Sequence, residues 1–300
     1  MPLDRIHYQQ CPVCANSRLS LQLTASDYTV SNEKFEVWEC ADCSLRFTQD
    51  VPVESAIGRY YQAESYISHT DSREGFIHRL YHAVRTYTLN QKRRLVQQES
   101  GLQSGMLLDM GAGTGAFVAA MQQAGWQAMG IEPDADTRAR AASLHGLTLL
   151  DKLQFGDLPT QHFDVITLWH VLEHVEDLHG YMDRLHQLLK PGGVLIIAVP
   201  NYTSRDAALY GPHWAAYDVP RHLYHFSPRS MRVLLGRHQF NLSRILPMWF
   251  DSFYISMLSE QYKNGKAANL TAFLNGFRSN LNAWKHPEEA SSLMYIIRPQ

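Results

Sequence analysis

Two groups of residues have the types and spacing to do chemistry. The four cysteines fall as Cys11-Pro-Val-Cys14 and Cys40-Ala-Asp-Cys43. Two such knuckles can close four thiolates on one ion, with the tetrahedral geometry and soft donors that zinc prefers. All four positions are protein sulfurs, so none is left for water and the expected role is structural. A redox dithiol and four unligated thiols are the alternatives. Against both, every cysteine of the chain belongs to one of two matched knuckles. The second group is a glycine turn, Gly111-Ala-Gly113-Thr-Gly115, with Asp109 ahead of it and Glu132 downstream. Glycines let backbone approach a ligand closely, and a helix beginning there offers free N–H groups.

Both groups need elements to hold them. Between the knuckles, LSLQL (19–23) and KFEVWEC (34–40) read as short strands. Phe35, Val37 and Trp38 would make a core too small to stand without metal. The segment is poor in Lys and Arg, so no grip on nucleic acid is expected. MLLDM (106–110) is an apolar strand leading into the glycine turn, and FVAAMQQAG is the helix after it. QAMGIEPD then forms a second strand with Glu132 at its tip, where an acid can accept from ribose hydroxyls. HGLTLL, HFDVITLWHV, GVLIIAVP, NLSRILPM and SSLMYIIRP read as further strands, with helical patterns among them. The expected fold class is α/β, a doubly wound, mostly parallel, seven-stranded Rossmann-like sheet with its ligand at the carboxyl ends of the strands.

The chain divides into a zinc-binding, ribbon-like module (1–50), a linker with cap helices (51–100) and the sheet domain (101–300). An aromatic helical insertion at about 249–290 is expected to cap the cleft or to serve self-association. Phe76 to Glu99 reads as one or two helices, locally basic through Arg79, Arg85, Lys92, Arg93 and Arg94. That basic face is either solvated or in contact with an acidic substrate group. Over all 300 residues, 27 Lys and Arg stand against 29 Asp and Glu, which leaves no excess to drive nucleic-acid binding. No apolar run reaches membrane-spanning length and the first residues show no secretory signal, so a cytoplasmic location is expected.

The glycine spacing alone does not separate nucleotide enzymes, because Gly111, Gly113 and Ala116 also satisfy a dinucleotide fingerprint. LLDMGAGTGAF, GIEPD, FDVITLWHVLEHV and LLKPGGVLIIAVPN together resemble the successive motifs of class I S-adenosylmethionine-dependent methyltransferases, over about 105–245. The resemblance implies that the cofactor's methionine part lies over Gly111, Gly113 and Gly115. Asp109 would steady that turn and the cofactor's amino group, Glu132 would hold the ribose diol, and Pro133 would lie against adenine. Asp157, in preference to Asp151, would meet the adenine amine, and His170 at a strand end would contact the ligand. Asp164, at the opposite end of its strand, reads as structural. The implied reaction is methyl transfer to a small-molecule acceptor. The four-cysteine module resembles those on methyltransferases of sugars and other secondary metabolites. A non-catalytic nucleoside-binding module and an NAD-dependent oxidoreductase are the rivals.

Two further stretches carry candidate chemistry. His170-Val-Leu-Glu173-His174 matches the H-x-x-E-H pattern of a zinc peptidase. That chemistry needs both histidines on one helix, whereas here the first follows an apolar strand. After Pro200 the chain runs NYTSRDAALYGPHWAAYDVPRHLYHFSPRSM, and Ser227-Pro228 is a good cap for the next helix. W…D-x-P-R-H-L-x-H-F-S resembles a variant of the same family, with the loop returning over the ligand edge. Trp214 and Phe226 read as packing residues. His222 or His225 is the candidate general base, and Arg221 and Tyr224 are candidates to orient the acceptor.

Overall fold

The computed structural model describes residues 5–61, 76–266 and 269–300, without the side chains of 76–85 and 269. The expectations for Arg79 and Arg85 therefore lie outside the described side chains, and those for residues 62–75 lie outside the described residues.

In chain order the elements are β1 (Arg5–Ile6), β2 (Leu19–Ser26), β3 (Lys34–Cys40), β4 (Arg46–Thr48), β5 (Val51–Pro52), α1 (Glu54–Ile57) and α2 (Phe76–Ser100). Then come β6 (Met106–Met110), α3 (Ala116–Gln123), β7 (Gln127–Ile131), α4 (Ala135–His145), β8 (Phe163–Trp169), α5 (Leu178–Leu188) and β9 (Leu189–Pro200). The last third holds α6 (Arg205–Tyr210), β10 (Tyr224–His225), α7 (Pro228–Arg237), β11 (Phe240–Pro247), α8 (Asp251–Asn264), α9 (Asn269–Lys285) and β12 (Ser292–Pro299).

The main sheet runs β11-β12-β9-β8-β6-β7. β6, β7, β8 and β9 are parallel, and β12 pairs antiparallel with both β9 and β11. Successive residues of the central strands enter opposite cores. Leu108, Ile166, Leu195 and Ile197 join one cluster, whereas Leu107, Val165, Val194 and Ile196 join the other. A sheet covered on both faces demands such continuous apolar runs. Each buried aliphatic side chain contributes roughly 1.5–3 kcal/mol.

Among the described residues the main sheet has six strands where seven were expected. HGLTLL supplies only Leu150, which bridges Ile131 in parallel. Gly146 is held at φ +67° as the cap of α4, and Asp151 already caps a 3-10 turn at Lys152–Phe155. Too few residues remain between those caps for a ladder.

The cysteine module is not a bead on a string. β10, from the loop after β9, pairs antiparallel with β4 and completes a four-stranded sheet, β10-β4-β3-β2. Tyr202 Oη donates to the Ser44 carbonyl at 2.6 Å, and Arg237 donates to that of Cys14 at 2.7 Å. Cys11, Val13, Leu45 and Phe47 share the core that holds Leu195 and Ile197. α8 and α9 pack together through the stacked rings of Phe253 and Phe273, 5.2 Å apart. The outer face of α9 leaves Leu270, Phe277, Leu281 and Trp284 exposed. No helix among the described residues is long and apolar enough to cross a membrane.

Candidate active site at the carboxyl edge of the sheet

The Sγ atoms of Cys11, Cys14, Cys40 and Cys43 all lie within 4.8 Å of one another. Cys11 and Cys43 are 3.4 Å apart, as are Cys14 and Cys40, and none is in a disulfide. Four sulfurs about 2.3 Å from one tetrahedral ion would stand about 3.8 Å apart, so the donor set and its spacing fit zinc. The Cys43 thiol, hydrogen-bonded to Cys11, holds the Cys11 pKa down at about 5, so one thiolate forms readily.

The three glycines of the turn have φ of +63°, +54° and +76°, a region that favours residues without a side chain. They serve different ends. A Cβ at Gly111 would stand 2.5 Å from Val171 Cγ2, and one at Gly115 would stand 2.6 Å from Leu147 Cδ1. A Cβ at Gly113 would meet no protein atom within 4 Å. Packing requires the outer two glycines, whereas the middle one faces open space that a ligand can fill. Glu132 binds this turn directly. One carboxylate oxygen accepts from Gly113 N–H at 2.8 Å and the other from Asp134 N–H at 3.0 Å. Each oxygen keeps capacity for another donor, as a sugar diol would supply. Pro133 is exposed at the same tip.

Asp109 is 2 % exposed, and its carboxylate accepts from Thr167 Oγ1 at 2.6 Å. Burial pushes its pKa up to about 7 against the opposing pull of Thr167 and Lys92. Lys92, from α2, lies 4.2 Å from the centroid of the Trp169 ring. Asp157 is exposed beyond the 3-10 turn. Asp151 directly follows the Leu150 bridge, beside the tip that carries Glu132, and pairs with Arg138 at 2.8 Å. Asp164 accepts from Met106 N–H and pairs with Lys190, both at 2.8 Å, a clasp at the amino end of the strands.

β8 ends at Trp169, and His170 directly after it takes φ +59°. Its Nε2 is 3.0 Å from Asp251 and its Nδ1 is 3.4 Å from Glu173. Burial opposes the charge, but the two carboxylates outweigh it and raise the His170 pKa to about 10. Leu172–His174 is a 3-10 turn, so the two histidines of the H-x-x-E-H pattern do not share a helix. Glu173 has no exposed surface, and among the described residues neither of its oxygens has a hydrogen-bond partner. His222 approaches it from the loop, with Nε2 4.0 Å from Glu173 Oε1 and Nδ1 2.9 Å from the Ala216 carbonyl. His174 sits edge-on to His222, ring centroids 4.6 Å apart.

The other loop residues are engaged by the protein. Arg221 is buried and donates to Asp27, to Asp218 and to the Tyr60 carbonyl. Tyr224 Oη donates to the Glu176 carbonyl at 3.0 Å. His225 is 3 % exposed, with Nε2 3.1 Å from Thr48 Oγ1, and burial depresses its pKa. Tyr224 and His225 form β10, whose pairing with β4 holds them in the module's sheet. Trp214 and Phe226 are buried. The sequence reading did not single out Asp251 or the convergence of Glu173, His174 and His222. Those partners come from separate elements, and no spacing announces them.

A family model described as a methyltransferase domain matches residues 80–244. A ubiquinone biosynthesis O-methyltransferase of Rhodopseudomonas palustris (strain TIE-1) is 26 % identical over 171 residues, covering 54 % of this chain and 67 % of that protein. One from Psychrobacter arcticus is 34 % identical over 113 residues, 34 % of this chain and 44 % of that one. Thus the chain spans about two thirds of the first and less than half of the second. A solved methyltransferase structure from Archaeoglobus fulgidus, described as SAM dependent, aligns with a TM-score of 0.49 at 18 % identity, covering 72 % of this chain and 94 % of that chain.

Proposed function

The chain belongs to the methyltransferase-domain family, a class I S-adenosylmethionine-dependent methyltransferase, and we propose that it methylates an oxygen of a small hydroxylated acceptor. When bound, S-adenosylmethionine supplies an electrophilic methyl carbon on a sulfonium sulfur. Gly111, Gly113 and Gly115 would line its methionine end, Glu132 its ribose diol and Pro133 its adenine. Asp151 or Asp157 would meet the adenine amine. Asp109 is the buried support beneath the turn, and His170 borders the cleft.

The observation that carries this reading is the closeness of the glycine turn to the His–Glu cluster. Val171 packs against Gly111, and the same turn continues through Glu173 to His222. An acceptor beside the cofactor would therefore meet a buried carboxylate and an imidazole. Donation from Nδ1–H to the Ala216 carbonyl leaves the lone pair of His222 on Nε2. His222 is the candidate base, whereas His225, Tyr224 and Arg221 shape the loop that carries it. Methylation at oxygen is favoured by the name the relatives carry and by the proton-handling groups.

We also propose zinc in the cysteine module and keep the division at about residues 50 and 100. One amendment is needed, since β10 belongs to the module's sheet. The test is turnover of a phenol and sugar-alcohol panel by wild type, His222→Gln and His225→Gln. His222→Gln should cut the rate at saturation by about 10²- to 10⁴-fold, the usual worth of a general base, with affinity for S-adenosylhomocysteine retained. Unchanged rates in His222→Gln would defeat the assignment of the base. Failure of wild type to demethylate the cofactor with any hydroxyl acceptor would defeat the proposed reaction.

A further inference from the structure

Glu173 poses a physical problem that methyl transfer by itself does not solve. A carboxylate with no exposed surface normally accepts several hydrogen bonds, because burying it unpaired is costly. Among the described residues, neither oxygen of Glu173 accepts any. His170 Nδ1 stands 3.4 Å away, and its charge, shared with Asp251 at 3.0 Å, balances Glu173 without an aligned hydrogen bond. The remaining neighbours are two imidazoles. One ligand atom each from Glu173, His174 and His222 lies within 4.8 Å of the other two.

Both imidazoles are turned for coordination. The Nδ1 of His222 lies 2.9 Å from the Ala216 carbonyl, and that of His174 lies 3.0 Å from the Arg221 carbonyl, with the Tyr61 hydroxyl farther off at 3.2 Å. Carbonyls only accept, so both Nδ1 atoms carry the proton and both Nε2 atoms keep a lone pair. A backbone partner that fixes ring orientation and tautomer in this way is the usual second layer of a histidine metal site. The span lies inside the outer limit for one ion, wider than a regular tetrahedral pair. Two donors each about 2.1 Å from a metal are about 3.4 Å apart at the tetrahedral angle and at most about 4.2 Å. His222 Nε2 and Glu173 Oε1 are 4.0 Å apart.

We propose that Glu173, His174 and His222 form a second metal site, for a first-row divalent cation of zinc's class, with an open position for an oxygen of the acceptor. Two imidazoles and one carboxylate are the donor set of catalytic zinc sites, which keep a coordination position free. The proposal rests on the reading above for where the acceptor lies, and it changes the role of His222 from base to ligand. A hydroxyl bound to the ion is acidified by it, its proton passing to water and its oxygen staying on the metal.

Metal analysis after equilibration with excess zinc and gel filtration tests the site in the full-length protein. Wild type should hold two ions per chain, one of them in the cysteine module. His222→Gln, His174→Gln and Glu173→Gln should each hold one. Cobalt replacement separates the sites by colour. The cysteine-bound ion gives intense thiolate charge-transfer absorption, and the second gives only weak visible bands that the three variants lose. One ion per chain in saturated wild type, or two retained in His222→Gln and His174→Gln, overturns the site whatever becomes of Glu173→Gln. Metal-stripped wild type that still methylates, with a rate limb in the histidine range, overturns the metal site and leaves methyl transfer standing. A second ion bound without any acceptor methylated supports the site and defeats the proposed reaction.

Discussion

Arg221 and Asp27 form a buried ion pair at 3.0 Å, with side chains 1 % and 0 % exposed. Asp27 follows the last strand residue of the cysteine module's second strand, and Arg221 lies in the loop beside His222. The loop is thus positioned by a charge from the far end of the sequence. Asp218, bonded to the same guanidinium, is a second anchor. Removing one partner of a buried pair is costly because the other charge stays unpaired. Because Asp218 still pairs with the guanidinium, Asp27→Asn should lose less than the roughly 3–5 kcal/mol of a fully broken buried pair, read by denaturant unfolding. Acceptor KM should rise more than cofactor affinity falls.

The glycine turn separates fold from binding. Gly113→Ala places its methyl in open space, so it should cost the fold only about 1 kcal/mol for the left-handed backbone. Affinity for S-adenosylhomocysteine should drop at least tenfold by calorimetry. Gly111→Ala drives its methyl into Val171 and should lower the melting temperature first. Equal loss of stability in the two variants would contradict this division.

Asp109 sets a pH dependence. Its pKa rises from 3.8 in the unfolded chain to about 7 in the fold, chiefly through burial. Between those values the folded state binds more protons than the unfolded one, so stability falls as pH rises from about 4 to 7 and then levels. Asp109→Asn should flatten that segment of the melting-temperature profile and raise stability at pH 8. An unaltered slope in the variant would place the titrating group elsewhere.

Metal in the cysteine module should be felt in the active-site loop. Thr48 Oγ1 donates to the His222 carbonyl at 2.7 Å, and Thr48 N–H donates to that of Leu223 at 2.9 Å. Cys14→Ser should lose one zinc equivalent, lower the melting temperature and speed proteolysis within 211–225. The glycine turn should keep its affinity for S-adenosylhomocysteine within a few-fold.

Residue order alone specified much of this protein. The period of the apolar runs and the glycine and Ser-Pro punctuation located nearly every element of the parallel sheet. Two cysteine knuckles announced the four-sulfur cluster, and four motifs together indicated the family. These signals are local, because backbone conformation and ligand spacing act over a few residues. The third expected strand failed for an equally local reason, the two caps at Gly146 and Asp151 that shorten it. What lay beyond reach were contacts between distant segments. That Tyr224 and His225 pair with β4, that Arg221 reaches Asp27, and that His222 meets Glu173 depend on how the loop crosses the sheet edge. Only tertiary packing decides which imidazole faces the cleft and which is buried, since desolvation and partner geometry belong to the assembled surface and not to any stretch of sequence.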